Sequence, residues 1–364
     1  MKKFFQEGII QFLLIAAISW LLIFFLPSRI FFTKFLPSSF CWLFWLVLLA
    51  VVGRSWPGNT LAGKRPVQAG ITMTAIWLAL SFLTTLFVTH VWPAVPLFPV
   101  AVWYGIILFT TTLWYAFIWQ GYPFAKLPEW ANVLIGAAIV FGITGILWSV
   151  LVNFNGTLWE SSAINPHGLF SGDFTFGLMV WIITWMLISA FGFQNYPFYK
   201  LPQPFGQLII TVLIIILGYF SWTFLSKQIG STFSIAVGGS IIGWSLFFST
   251  LLAYYPFTKY AQPKRGIYSI AVIAFCASVW IILLRWLLLP VYTKAHHAGI
   301  PFDLWQLIVI YTLHVIPVLA LAHNFFWSRL PLQPAGPPIG PEETVTWKDK
   351  SSLNPVTPGK PKQV

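Results

Sequence analysis

Gly121-Tyr-Pro-Phe-Ala-Lys126-Leu-Pro128 returns as Asn195-Tyr-Pro-Phe-Tyr-Lys200-Leu-Pro202, and again as Tyr254-Tyr-Pro-Phe-Thr-Lys259. Each copy follows a long apolar stretch. A degraded copy, Asn324-Phe-Phe-Trp-Ser-Arg329-Leu-Pro331, closes the last such stretch. A looser one stands near the start, as Trp56-Pro57 with a delayed Lys64-Arg65-Pro66. Lys126, Lys200, Lys259 and Arg329 lie 59 to 74 residues apart. A spacing of this kind marks a repeated architectural unit, and it settles the architecture before single residues are weighed. The expectation is one helix pair used about five times, always in the same orientation.

The composition says where such pairs reside. Of the 364 residues, 58% are hydrophobic and 8% are charged, against roughly 25% charged in a soluble domain. A helix that crosses a bilayer needs roughly 20 mostly apolar residues. Ten segments qualify: about 8–26, 37–53, 67–89, 97–119, 130–152, 173–193, 204–225, 231–253, 266–289 and 304–325. Lipid offers the backbone no hydrogen-bond partner, so these segments are expected as helices. The alternation of a membrane barrel is absent. The fold class is therefore an all-α, polytopic membrane helix bundle of about ten spans over residues 1–330. The segment 37–53 is the shortest, and 226–230 is the tightest connection.

Lys2 and Lys3 precede an apolar run of about 19 residues, as in a secretory signal. No small-x-small cleavage site follows it, so the run reads as a retained first helix. With the N-terminus inside, the inner segments hold Lys2, Lys3, Arg54, Lys64, Arg65, Lys126, Lys200, Lys259, Lys264, Arg265, Arg329 and four lysines beyond residue 331. The outer loops hold Arg29, Lys34, Lys227 and Lys294. The bias puts both termini in the cytoplasm, here of a bacterial inner membrane. The net charge of +12 is thus a topology signal and an attraction to anionic headgroups. The bilayer is the partner it implies, and nucleic acid is not. Residues 331–364 are rich in proline and mixed charge, as in a disordered cytoplasmic tail.

The motif itself has a membrane reading. Tyr122, Tyr196 and Tyr255 suit the headgroup level. Pro123, Pro197 and Pro256 cannot continue a helix. Lys126, Lys200, Lys259 and Arg329 snorkel toward phosphate. A later proline, Pro128 or Pro204, is placed to open the next helix. The motif is thus a re-entry turn at the inner leaflet, with a ring of basic residues at an inner gate as the functional alternative.

Ionisable residues at membrane depth are functional candidates because their burial is costly. No Asp or Glu falls in mid-span. Arg285 and Asp173 sit at outer ends, where Asp173 suits a helix start. His314, in Tyr311-Thr-Leu-His314-Val-Ile-Pro317, is the mid-membrane candidate, because Pro317 frees a carbonyl one turn earlier. Tyr311 joins it as a ligand candidate. Trp181 and Trp185 share a helix face and, with Trp244 and Ser240, could line a cavity. Gly136, Gly142 and Gly145, and Gly238, Gly239 and Gly243 beside Ser240, permit close helix contact. His323 reads as interfacial. His90 could pair with His296 or His297 at the outer surface, yet His314 has no mate at its depth for a bis-histidine haem. His167, Glu160, Asp173, His296, His297 and Asp303 share the outer face and could meet at a metal, but the adjacent His296-His297, read as part of an outer loop, lacks the ligand spacing of a helical site, so no metal is assigned. Cys41 and Cys276 read as buried apolar thiols. No cofactor is called for.

There is no nucleotide-binding glycine loop, zinc-protease motif or nucleophile elbow. Three functions remain: a permease or facilitator for a small solute, a non-catalytic membrane subunit or assembly component of a larger complex, and an intramembrane enzyme built on Glu160, His167, Asp173 and His297. The first leads. The absence of mid-span acids argues against strong proton coupling.

Overall fold

A computed structural model describes residues 2–62, 65–252 and 254–327. Lys64, Arg329 and the proline-rich tail lie outside them. Among the described residues, ten helices are long and apolar enough to cross a membrane. They are α1 (Gln6–Phe25), α2 (Ser28–Val52), α3 (Pro66–His90), α4 (Val100–Ile118), α5 (Glu129–Leu151), α6 (Gly172–Gly192), α7 (Phe205–Ile229), α8 (Ser231–Thr250), α9 (Lys264–Leu287) and α10 (Leu304–Phe325). Their number equals that expected from the apolar segments. This is a multi-pass membrane protein with an all-helical span domain.

Two boundaries move. α2 begins at Ser28, not near residue 37, because Phe31–Phe35 wind as a π turn ahead of Pro37. The irregular turn accommodates the N–H that proline lacks. α7 and α8 are separated by Gly230 alone, at φ 85°, a left-handed conformation that glycine adopts without a Cβ penalty. Two short helices were not legible in the apolar pattern: Gly58–Ala62 and Leu289–His297. The second carries His296 and His297.

The helices sort by parity. In α2, α4, α6, α8 and α10, between 67% and 78% of the span is buried, against 22% to 39% in α1, α3, α5, α7 and α9. The even helices touch one another in a closed cycle: α2 with α4, α4 with α6, α6 with α8, α8 with α10, and α10 with α2. They form an inner ring of five, and the odd helices lie outside it. Small residues sit at several of these contacts. A Cβ on Gly105 would meet the Phe40 ring, one on Gly238 would meet Val180, and one on Gly243 would meet Thr312. Small residues are how helices approach where lipid and side chains are equally apolar.

Each outer helix crosses several inner ones. α7 starts against the end of α4, where Trp114 Nε1 donates to Thr211 Oγ1. It then packs on α6, where Trp185 Nε1 donates to Ser221 Oγ, and reaches α8. α9 follows the same course from α6 over α8 to α10. Among the outer helices, an inner helix therefore packs more on the one that follows it than on the one before. The pairs suggested by the sequence as outward-and-return units, α3 with α4 or α5 with α6, are covalent neighbours but not the main packing pairs. α1 supplies the outer helix missing after α10. Gly8 approaches the Leu251 carbonyl at the end of α8, Phe12 packs on Trp244, and Tyr311 Oη donates to the Ala16 carbonyl. The first span closes the ring by covering the last.

Where the inner helices end, the turns share one geometry. Gly53, Trp119, Phe193 and Leu252 each donate a backbone N–H five residues back. Ser55, Gly121, Asn195 and Tyr254 each donate six residues back. Trp56, Tyr122, Tyr196 and Tyr255 then donate three residues back and precede a cis proline. Left-handed residues occupy the same place each time: Arg54 and Ser55, Gln120 and Gly121, Gln194 and Asn195, and Tyr254. Pairs of this kind reverse the chain within a few residues, and Gly and Asn are the types that accept them most readily.

Candidate functional site

The inner ring fixes where polar groups can meet at membrane depth. His314 lies in a π turn, Tyr311–Val315, just before Pro317. It is 3% exposed and faces α2. Its Nδ1 is 2.8 Å from Ser39 Oγ, and that hydroxyl donates to the Leu36 carbonyl at 2.6 Å. One hydroxyl proton cannot serve both bonds, so Nδ1–H donates to Ser39 and Nε2 carries the lone pair. The Phe40 ring stands edge-on to the imidazole with centroids 4.4 Å apart. Ser39 and His314 thus make one polar contact across the α2–α10 seam. Pro37 and Pro317 flank it on the two helices. Sequence reasoning found the histidine but not the serine, because the two are 275 positions apart and nothing local marks Ser39 as its partner.

The other candidates do not join this contact. Trp181 Nε1 donates to Ser234 Oγ at 3.0 Å between α6 and α8. Trp185 is bound to α7 through Ser221. Trp244 packs with Phe12, Phe247 and Trp280 on the outer side of α8. Tyr311 stacks on Trp280 and bonds to α1. Ser240 is fully buried on α8, and its Oγ has no hydrogen-bond partner among the described residues. Each of these tryptophans thus meets a different neighbour, Trp181 on α8, Trp185 on α7 and Trp244 beside α1 and α9.

On the face that carries the motif turns, exposed helix-end carbonyls are taken by carboxamides from neighbouring elements. Asn195 Nδ2 donates to the Phe117 carbonyl at 3.2 Å, Gln207 Nε2 to that of Trp119 at 3.2 Å, and Gln262 Nε2 to that of Gly192 at 3.1 Å. Asn132 takes a similar place beside Val52 and receives Tyr115 Oη at 3.3 Å. The last carbonyls of a helix have no partner of their own, so these amides join one hairpin to another. The signal that could have revealed Asn132, Gln207 and Gln262 is a carboxamide in or just before the first turn after each motif, whereas Asn195 opens the motif itself. Lys200 lies over the Tyr196 ring and Lys259 over that of Tyr260, consistent with interfacial anchoring. A cleft of about 570 Å³ opens among Arg54, Lys126, Glu129 and Asn132.

On the opposite face the acidic and histidine residues stay apart. Glu160 accepts from the Gly156 N–H, Asp173 from Trp103 Nε1, and Asp303 from the Gln306 N–H in a capping box. Ser171, not Asp173, supplies the side-chain cap of α6. His296 stacks on Tyr292, and His90 bonds to Thr89. Among the described residues no three of His, Cys, Asp and Glu come together as a metal would require.

Two grooves flank α3 on its lipid side. One, of about 700 Å³, runs between α2 and α3 from Trp42, Leu78 and Phe82 to Lys34, Ser38, Thr89 and His90. The other, of about 540 Å³, is lined by Trp45, Leu83, Phe87, Trp92 and Phe141 and contains no charged side chain. No family model, curated protein or solved structure matches this chain.

Proposed function

We propose that the protein is a permease or facilitator for a small solute, built from about five parallel two-helix units. The motif turns and both chain ends lie on the cytoplasmic side of a bacterial inner membrane. The observation that carries this reading is the α2–α10 seam. There a closed ring of buried helices has a histidine–serine contact between two helices that both carry a π turn and a proline. π turns recur at functional sites, and here they lie in inner-ring helices. Intramembrane polar residues that face a bundle interior mark solute pathways. The seam is the place where this ring opens. Neither partner is an acid, which favours facilitated flux over proton coupling. The orientation rests on fifteen Lys and Arg on the motif side against four in the opposite loops.

The test is flux in liposomes reconstituted with the full chain, over a panel of small sugars, amines, carboxylates and ions. Ser39→Cys combined with His314→Cys provides the control, since a disulfide across the seam locks it. Flux that stops on oxidation and returns with reductant supports the reading. A protein that passes nothing above empty liposomes, and purifies from its membrane with a fixed stoichiometric partner, is a subunit of a larger assembly instead.

A further inference from the structure

We infer that the groove between α2 and α3 binds one anionic phospholipid, with its phosphate at Lys34 and His90 and an acyl chain along Trp42, Leu78 and Phe82. This assignment does not depend on the flux reading. The groove opens sideways: Leu78, Phe82 and Leu86 are 43%, 63% and 40% exposed, on a helix face that borders lipid. From Leu78 to His90 the helix rises about 18 Å, close to the roughly 15 Å depth of one hydrocarbon leaflet. The lining changes character along that length. Trp42, Leu78, Phe82 and Leu86 give way to Ser38, Thr89, His90 and Lys34 at the end of α3. An apolar slot ending in a cation and several hydroxyls is complementary to a chain ending in a phosphate. No acid lines it.

A second observation points the same way. Thr85, Thr89 and Leu97 also border a void of about 10 Å³ behind the groove, lined on its inner side by Cys41 and Tyr104. Tyr104 is 1% exposed, and its hydroxyl has no hydrogen-bond partner among the described residues. The void has room for one water, which would carry the phenol's hydrogen bond toward the ester region of a bound lipid. The uncharged groove across α3 provides an internal contrast: acyl chains can fill it, but nothing there selects a headgroup.

The experiment is native mass spectrometry of the full chain in detergent, offered equal amounts of phosphatidylglycerol and phosphatidylcholine with identical chains. The parent should retain phosphatidylglycerol first. Lys34→Gln should lower that preference about fivefold, the loss of one cation near an anionic headgroup. Leu78→Trp, which fills the apolar end, should remove one retained lipid while Lys34 stays in place. Leu83→Trp, which fills the uncharged groove across α3, should leave the preference unchanged. Melting of each variant without added lipid checks that it is folded, and His90→Gln replaces Lys34→Gln if that variant fails. An unchanged preference in Lys34→Gln, or an unchanged number of retained lipids in Leu78→Trp, overturns the assignment. So does displacement of the lipid by millimolar inorganic phosphate, which would make the site a free-anion pocket.

Discussion

Gly8→Ala tests the closure of the ring by α1 with the smallest change available. A Cβ at position 8 would lie 2.1 Å from the Leu251 carbonyl oxygen at the end of α8. The neighbour is backbone, held by its own turn, so it cannot rotate away. To restore an ordinary contact of 3.4 Å, α1 must back away by about 1.3 Å. That displacement opens the contacts of Phe12 with Trp244 and Phe247, whose ring centroids are 5.1 and 5.0 Å away. It also strains the bond from Tyr311 to Ala16. Overpacking of this kind costs about 1–3 kcal/mol, or about 1–4 °C in the melting midpoint of a chain of 364 residues at about 2.1 cal/mol/K of unfolding entropy per residue. Gly142→Ala on α5 is the matched control. A Cβ there meets nothing within 4 Å, and alanine is the better helix former by about 1 kcal/mol. Intrinsic fluorescence melting of both variants in the same detergent should show Gly8→Ala melting lower and Gly142→Ala melting at or above the parent. If Gly8→Ala melts with the parent, α1 does not seal the ring as described.

Other consequences are open to measurement. Ser39→Ala and His314→Ala each remove an interhelical hydrogen bond worth about 0.6–1.7 kcal/mol in a membrane. The double variant should therefore cost less than the sum of the two single ones, and clear additivity in the melts would refute the pairing. Gln262→Ala leaves the Gly192 carbonyl without its donor and should lower the melting midpoint, whereas Gln262→Glu, which keeps the shape but loses the donor, should be at least as damaging; a Glu variant as stable as the parent would show that the amide donor is not used. A membrane-permeable maleimide should label half-buried Cys276 well before buried Cys41 in the folded protein, and faster labelling of Cys41 would contradict the packing of α2. Single cysteines at Lys126 and His167, in a Cys41→Ser, Cys276→Ser background, should react with an impermeant reagent from opposite sides of the membrane, Lys126 from the cytoplasmic side; labelling of both from one side would remove the proposed topology.

The residue types alone carried the membrane assignment and the number of spans. Twenty apolar residues in a row have few stable alternatives to a bilayer helix, and the Tyr-Pro-Phe turns show where α4, α6 and α8 end. His314 was legible for the same reason: an imidazole in such a run is conspicuous. What the sequence could not carry was adjacency. Inner and outer helices are almost equally apolar, since lipid and protein interior demand the same side chains, so hydrophobicity does not tell α2 from α3. Only packing shows that even helices form the ring and that α1 closes it. The partner of His314 was likewise invisible, because Ser39 is 275 positions away and serine is unremarkable in a helix. The carboxamides Asn195, Gln207 and Gln262 acquire their role only when a neighbouring hairpin brings a bare helix end within reach. Local composition determined the ten helices that, among the described residues, are long and apolar enough to cross a membrane. The closed ring, its α2–α10 seam and the charged groove beside α3 arose from long-range contacts, which no single segment encodes.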